Sequence, residues 1–199
     1  MRILVALPVF DGWVSTETYS SLWRLREASR EHRLFLQFVR GYTVDKARNE
    51  IGRMAEGYDA VLMVDSDIVL PENALAYMAS PEADIVLGAY PRKRGGKGLS
   101  SLIRYGAKDC GVDAAIGMDE VKRACGRIPV KGGGLGCALI KAPVFARLEY
   151  PWFRYVENED GSHLSEDYYF CNKAAEQGFD IQADCRVQCG HVCEAVHWD

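Results

Sequence analysis

Three short apolar runs separated by two helical patterns fill the first 65 residues, and this spacing constrains the fold more than any other feature of the chain. Ile3 to Leu7, closed by Pro8, and Ala60 to Val64 are continuous apolar runs, the pattern of strands buried on both faces. Leu34 to Val39 reads as a third strand between them. After a turn at Asp11-Gly12, Thr16 stands at a capping position before a helix with Tyr19, Leu22 and Trp23 on one face. Val44, Ala47, Ile51, Met54 and Ala55 then repeat at helical spacing, and Gly57 ends that helix. Strand, helix, strand, helix, strand implies parallel pairing through right-handed crossovers, the first half of an α/β nucleotide-binding sheet.

Beyond Pro71 the pattern predicts a short helix (about Glu72 to Ala79) and a strand from Asp84 to Ala89. From Arg92 to Lys108 there are six positive residues and no acid, beginning with the glycine-rich basic loop Arg92 to Gly98. The second half is less regular: a break at Gly132-Gly133-Gly134, a strand near Leu135 to Ile140, and a helix from about Glu166 to Gln177 stopped by Gly178. No linker or repeat divides the chain, so 1–199 reads as one domain, about 1–90 nucleotide-binding and about 91–199 carrying acceptor and catalytic groups. A hydrophobic share of 48% excludes a disordered or fibrous chain, and a net charge of −4 argues against a general nucleic-acid coat. No apolar run approaches the roughly 20 residues of a membrane span, and the N-terminal run is too short for a signal-peptide core, so a soluble cytoplasmic protein is expected. Seven cysteines without an export signal do not suggest a disulfide framework.

Asp65 and Asp67, with Ser66 between them, stand immediately after a buried strand, at the sheet edge where α/β proteins bind ligands. Two hard oxygen donors there suit Mg²⁺ or Mn²⁺ carrying a diphosphate; a plain Asx-type turn is the simpler alternative. On the preceding helix, Arg48 and Asn49 are placed to reach a nucleotide or its phosphates at the same edge, or Arg48 only pairs with Asp45.

Ala47-Arg48-Asn49 followed by Val61-Leu62-Met63-Val64-Asp65-Ser66-Asp67 resembles the nucleotide-sugar site of GT-A glycosyltransferases, especially those of family 2 type, which carry an "ARN" helix and a "DxD" turn in this order. The resemblance spans Ile3 to about His191. It implies a Rossmann-like α/β GT-A fold, with a central, mostly parallel sheet flanked by helices. The implied activity is transfer of a sugar from a nucleotide diphosphate sugar, UDP-sugar favoured, to an acceptor hydroxyl, with Mn²⁺ or Mg²⁺ as cofactor. Ser165-Glu166-Asp167 matches the family's "ED" motif. Asp167 would then be the catalytic base of an inverting reaction with Glu166 beside it, although a capped first turn that complements the helix dipole would also explain both acids. By the same resemblance Pro8, Val9 and Asp11 contact base and ribose, Arg48 and Asn49 serve the nucleotide, Asp65 and Ser66 serve donor and metal, and Asp67 and His191 complete the metal site.

The segment around His191 has two further readings. Alternation would put Cys185, Cys189, His191 and Cys193 on one side of a strand, where zinc held by Cys189, His191 and Cys193 with Cys185 or His197 is conceivable. Alternatively the cysteines are small buried hydrophobes; we favour this for them and the metal-ligand role for His191. The glycines 132–134 and Gly136 would let a ligand approach closely or only make a turn. Trp152, Phe153 and Tyr155 would stack a sugar or form a satellite core. The basic loop fits donor phosphates or an anionic acceptor, a nucleic acid with a hydroxymethylated base ranking behind a glycan or lipid-linked acceptor. The rival classes are a sugar-phosphate nucleotidyltransferase, whose glycine- and arginine-rich loop should follow the first strand, and a non-catalytic zinc-containing binding module.

Overall fold

The apolar runs of the N-terminal half become adjacent strands in the computed structural model, which describes residues 1–80, 82–93, 98–108, 114–157, 161 and 163–193. In chain order the elements are β1 (Arg2–Val9), α1 (Thr16–Ala28), β2 (Arg33–Arg40), α2 (Val44–Arg53), β3 (Ala60–Val64), β4 (Ile68–Val69) and α3 (Ala74–Met78). They continue with β5 (Ile85–Ala89), β6 (Leu99–Arg104), β7 (Ala115–Gly117), α4 (Met118–Arg123), β8 (Arg127–Gly133), β9 (Cys137–Lys141) and α5 (Ala142–Arg147). The last are β10 (Val156–Glu157), β11 (His163–Leu164), α6 (Glu166–Glu176), β12 (Ile181–Gln188) and β13 (Gly190–His191).

Nine strands form one sheet in the order β2-β1-β3-β9-β5-β12-β8-β6-β7. β1 is parallel to β2 and β3, and β12 is parallel to β5, while β9, β8 and β7 run against their neighbours. Six strands therefore share one direction. Both faces are covered, because side chains of successive strand residues point to opposite sides. Leu4, Ala6, Val61 and Met63 join the core under α2, α5 and α6, whereas Ile3, Val5, Leu7, Leu62 and Val64 join the core under α1 and α3. Among the described residues no helix is long and apolar enough to cross a membrane.

Several details depart from the sequence expectations. Pro8 lies inside β1; pairing with β3 ends at Ala6, so the proline falls where only β2 flanks the strand and costs no ladder bond there. Ser15, one residue before Thr16, caps α1, its hydroxyl accepting from the Thr18 amide at 3.0 Å. That helix buries Thr18, Ser21, Leu22 and Leu25, and leaves Tyr19 and Trp23 exposed at its rim. Gly132 and Gly133 are not a break but the end of β8, paired with Ile103 and Leu102. Glycine is needed because α6 packs directly on the strand: a Cβ at Gly132 would lie 2.6 Å from Cys171 Cβ. Ser165 holds the N-cap position of α6, yet its side chain makes no capping bond.

A buried ion cluster ties the two halves together. Arg48 on α2 is 2% exposed; its Nη2 lies 3.0 Å from Asp65 Oδ1 at the end of β3, and its Nη1 lies 2.5 Å from Glu166 Oε1 on α6 and against Asp167 Oδ1. Burial alone would lower the Arg48 pKa, but the carboxylates of Asp65 and Glu166 more than reverse this and raise it above the ordinary arginine value. Next to it, Asn49 uses all its hydrogen-bonding capacity on protein: Nδ2 donates to the Asp45 and Phe153 carbonyls, and Oδ1 accepts from the Trp152 and Phe153 amides.

Two stability predictions follow from these buried charges. Arg48→Met leaves three acids facing one another in a desolvated site and should lower the unfolding free energy by about 3–5 kcal/mol in urea titrations; a loss under ~1 kcal/mol would contradict the cluster's role. Asp184 on β12 is fully buried and receives Arg186 Nε at 2.8 Å and Nη2 at 2.6 Å, with Arg127 alongside. Burial works against its ionisation, but hydrogen bonds from Arg186 and Arg127 prevail and hold its carboxyl below the ordinary 3.8. Its stabilisation is then fully present above that value and is lost as pH falls through the lower folded-state value. The stability gap between the native chain and Asp184→Asn, about 1–3 kcal/mol at neutral pH, should shrink in acid, and a pH-independent gap would refute the assignment.

Candidate functional site

β1, β2 and β3 end side by side, and the segments leaving them enclose a cleft of about 180 Å³ lined by Pro8, Phe10, Tyr42, Val44, Asp65, Ser66 and Asp67. Four of these, Pro8, Asp65, Ser66 and Asp67, are residues expected from the sequence. Phe10, Tyr42 and Val44 are not; the first two are large exposed aromatics just past strand ends, and that position was the available signal. Asp65-Ser66-Asp67-Ile68 is a turn closed by the Ile68 amide on the Asp65 carbonyl at 3.1 Å. The amide of Ser15 donates to the Ser66 carbonyl at 2.9 Å, which fastens the turn to the start of α1. Turn and site are thus the same four residues, with the backbone making the turn and the carboxylates left for other work.

The two carboxylates point to different partners. Asp65 faces Arg48, and its Oδ2 stands where a Cβ on Gly136 would meet it at 2.8 Å, so glycine is required behind it. Gly134 is tighter still against the Tyr90 hydroxyl, which accepts from the Gly136 amide at 3.1 Å. These glycines admit Tyr90 and Asp65, rather than a ligand, to the backbone. Burial, with Asp65 nearby, pushes the Tyr90 phenol well above its ordinary pKa, so it stays a neutral hydroxyl.

Asp67 faces His191. β13 pairs with β4, His191 opposite Ile68, and the Val192 amide donates to the Asp67 carbonyl at 2.8 Å. This two-residue ladder sets His191 Nε2 3.6 Å from Asp67 Oδ1. The other ring nitrogen, Nδ1, lies 2.8 Å from the Pro91 carbonyl, which can only accept, so Nδ1 carries a proton and Nε2 is the nitrogen turned to Asp67. Tyr90 packs edge-on against the imidazole at 5.4 Å. Lys93 completes the environment with an ion pair to Asp67 Oδ2. Burial opposes ionisation of Asp67, yet the hydrogen bonds from His191 and Lys93 hold its pKa down at about 2.

The donor chemistry fits a divalent cation. Imidazole Nε2 with its distal N–H bonded to a backbone carbonyl is the usual arrangement of a metal-ligating histidine, and a carboxylate converges on the same point. The chain of contacts also carries four formal negative charges, Asp65, Asp67, Glu166 and Asp167, against the two positive charges of Arg48 and Lys93. Among the described residues no three of His, Cys, Asp and Glu stand ready as a complete ligand set, because Asp65 is turned to Arg48. Asp67 and His191 are therefore the pair that could hold such an ion, with phosphate oxygens supplying the rest.

Elsewhere the structure redistributes the expected residues. Val9 is buried in the core and Asp11 is not among the residues lining the cleft. Phe153 is core, stacked on Phe170 at 4.6 Å, and the Trp152 indole N–H donates to the Phe145 and Leu148 carbonyls; Tyr155 is half exposed and hydrogen-bonds Glu166. Cys185 and Cys189 do not share a side. A bulge in β12 between Ala183 and Gln188 reverses the alternation, so Cys185 enters one core and Cys189 the other. His197 lies outside the described residues, as do Arg94, Gly95, Gly96 and Lys97 of the basic loop. Of the basic stretch, Arg92 donates to the Ser100 carbonyl and the Tyr168 hydroxyl, and Arg104 forms a two-point pair with Glu120.

No family model matches the chain, and no curated protein matches it in sequence. Among solved structures, A197 from STIV is similar over 98% of this chain and 87% of its own, at a TM-score of 0.63 and 20% identity. GalNAc-T7, crystallised with UDP, GalNAc and Mn²⁺, matches at a TM-score of 0.57 and 11% identity; 99% of this chain covers 44% of that one. Residues 1–349 of S. aureus TarS match at a TM-score of 0.53 and 18% identity, with 96% of this chain covering 60% of that one. This chain thus spans less than two thirds of the latter two. At such identities the likeness is one of fold, and the fold of this chain is the GT-A-like α/β fold of glycosyltransferases.

Proposed function

We propose that the chain is a metal-dependent glycosyltransferase that moves a sugar from a nucleoside diphosphate sugar, UDP-sugar favoured, to an acceptor hydroxyl with inversion. The observation that carries this reading is the convergence of Asp67 and His191 Nε2 at the mouth of a cleft walled by Phe10 and Tyr42, in a GT-A-like fold. Phe10 and Tyr42 suit a nucleobase, which stacks on aromatic faces. Two similar structures, those of GalNAc-T7 and TarS, were crystallised with UDP, and the former also with Mn²⁺.

Asp67 and His191 would hold the ion, and when bound it supplies positive charge against which the leaving diphosphate is stabilised. Asp167, with 17% of its side chain open, would take the proton of the acceptor hydroxyl as that oxygen bonds to the anomeric carbon; the broken sugar–phosphate bond leaves its electron pair on the diphosphate. Arg48 keeps Asp167 oriented and acts through it, as a positioning residue. Tyr155 is bonded to Glu166, the neighbour of Asp167. A sugar-phosphate nucleotidyltransferase fits less well, since Pro8-Val9-Phe10-Asp11-Gly12 follows the first strand in place of a glycine- and arginine-rich loop. The version of a zinc module that takes Cys185 as its fourth ligand fits less well too, since Cys185 and Cys189 lie on opposite faces; the version with His197 lies outside the described residues.

Release of free nucleotide from a panel of nucleotide sugars, with and without Mn²⁺, tests the reading. We expect turnover with Mn²⁺ and a UDP-sugar. Asp167→Asn should then cost about 10²–10⁴-fold in kcat with UDP affinity retained, as loss of a general base does. Full turnover by Asp67→Asn or by Asp167→Asn would overturn the assignment.

A further inference from the structure

Pro91, Arg92 and Lys93 are three consecutive residues that reach three different parts of the site. The Pro91 carbonyl fixes His191, Arg92 reaches the Tyr168 hydroxyl beside Asp167, and the Lys93 ammonium rests on Asp67 Oδ2. The first two contacts anchor the segment, Arg92 being tied also to the Ser100 carbonyl and Pro91 bridged to Ser100. Lys93 is different: its side chain is 40% exposed and hangs on a flexible four-carbon stem, so it can exchange partners without disturbing its neighbours. It sits on the carboxylate that the proposed function gives to a divalent cation, and a point charge of like sign cannot share that oxygen with the ion.

We propose that Lys93 is a stand-in cation for Asp67 that, when metal and nucleotide arrive, transfers to the donor diphosphate. This rests on the metal reading of Asp67 given above. The ammonium offsets the charge of Asp67 in the free protein, where the described contacts set Asp65, Glu166 and Asp167 on Arg48 and Asp67 on Lys93, with His191 alongside. Metal alone must displace it from its carboxylate, which weakens metal binding. Metal with a diphosphate gives the displaced ammonium a new anionic partner, so the two ligands strengthen each other. Lys93 is thereby a phosphate-binding residue and the origin of part of the coupling between metal and nucleotide, a coupling that linkage requires to be reciprocal.

The test compares wild type, Lys93→Met, Lys93→Arg and Asp67→Asn by titration calorimetry, with Mn²⁺ alone and with UDP in saturating Mn²⁺; circular dichroism verifies folding. Lys93→Met keeps the stem and removes the charge. It should bind Mn²⁺ alone about two- to fivefold tighter than wild type, the range of a partly exposed ion pair. It should bind UDP with Mn²⁺ about tenfold more weakly, as loss of a charged hydrogen bond does. Lys93→Arg should resemble wild type in both. Unchanged or weaker Mn²⁺ binding by Lys93→Met, with binding abolished in Asp67→Asn, overturns the role of Lys93 and leaves the metal site standing. Undiminished Mn²⁺ binding by Asp67→Asn overturns both.

Discussion

Arg48 carries its charge into the protein because Asp65, Glu166 and Asp167 surround it, and those acids tolerate one another because Arg48 is there. The partners come from the end of β3 and the first turn of α6, 17 and 118 residues away in sequence, so the contact fixes two remote pieces of chain at once. Magnitudes decide what holds the first turn of α6. A helix dipole contributes roughly 0.3–1 kcal/mol to an acid in that turn. A unit ion pair about 4 Å apart contributes about 4 kcal/mol at an effective dielectric constant of 20, and the separations here are shorter. The cluster therefore outweighs the dipole in orienting Glu166 and Asp167, and the missing side-chain cap at Ser165 costs the arrangement little.

The same cluster separates residues that hold from residues that remain available. Asn49 has no hydrogen-bonding capacity left after clamping Asp45, Trp152 and Phe153, and Arg48 is enclosed. The helix that carries them acts as a bracket: one face positions β3, and its neighbour positions the 152–153 segment. Gly52, one turn on, is part of that bracket, since a Cβ there would lie 2.6 Å from the Trp152 ring. Of the two carboxylates that line the cleft, Asp67 is the one not held by Arg48.

Local pattern accounts for much of this, and its failures have physical causes. Ala60–Val64 is read correctly to the residue because a strand buried on both faces leaves an unbroken apolar run. The parallel start follows from strand–helix alternation, but β9 entering between β3 and β5 against the strand direction has no local signal, since pairing partners are chosen by tertiary packing. Gly132 and Gly133 resemble a break because glycine usually marks one; here they are strand residues stripped of side chains so that α6 can sit on them. The bulge in β12 is likewise silent in sequence, and it alone undoes the shared face of Cys185 and Cys189. Asp65, Asp67 and Asp167 stand out by type and position, whereas the partner of Lys93 is set by a contact across 26 residues that no spacing rule encodes.

A net charge of −4 conceals a local surplus. Of the basic stretch, Arg104 is matched by Glu120, while the contacts of Arg48 and Lys93 hold two more acids than bases. The two bases differ in what they can do. Arg48 is enclosed, planar and always charged, so its partners are permanent. Lys93 and Asp67 are partly open to solvent, so theirs is the one of these ion pairs that can exchange at small cost. One end of this set of acids is thus fixed and the other exchangeable; both reach the cleft, through Asp65 and Asp67, and the exchangeable end is the one that faces His191. A ligand of opposite charge would be drawn to that end, because there an ion pair can open to receive it, whereas the acids around Arg48 are held in enclosed contacts.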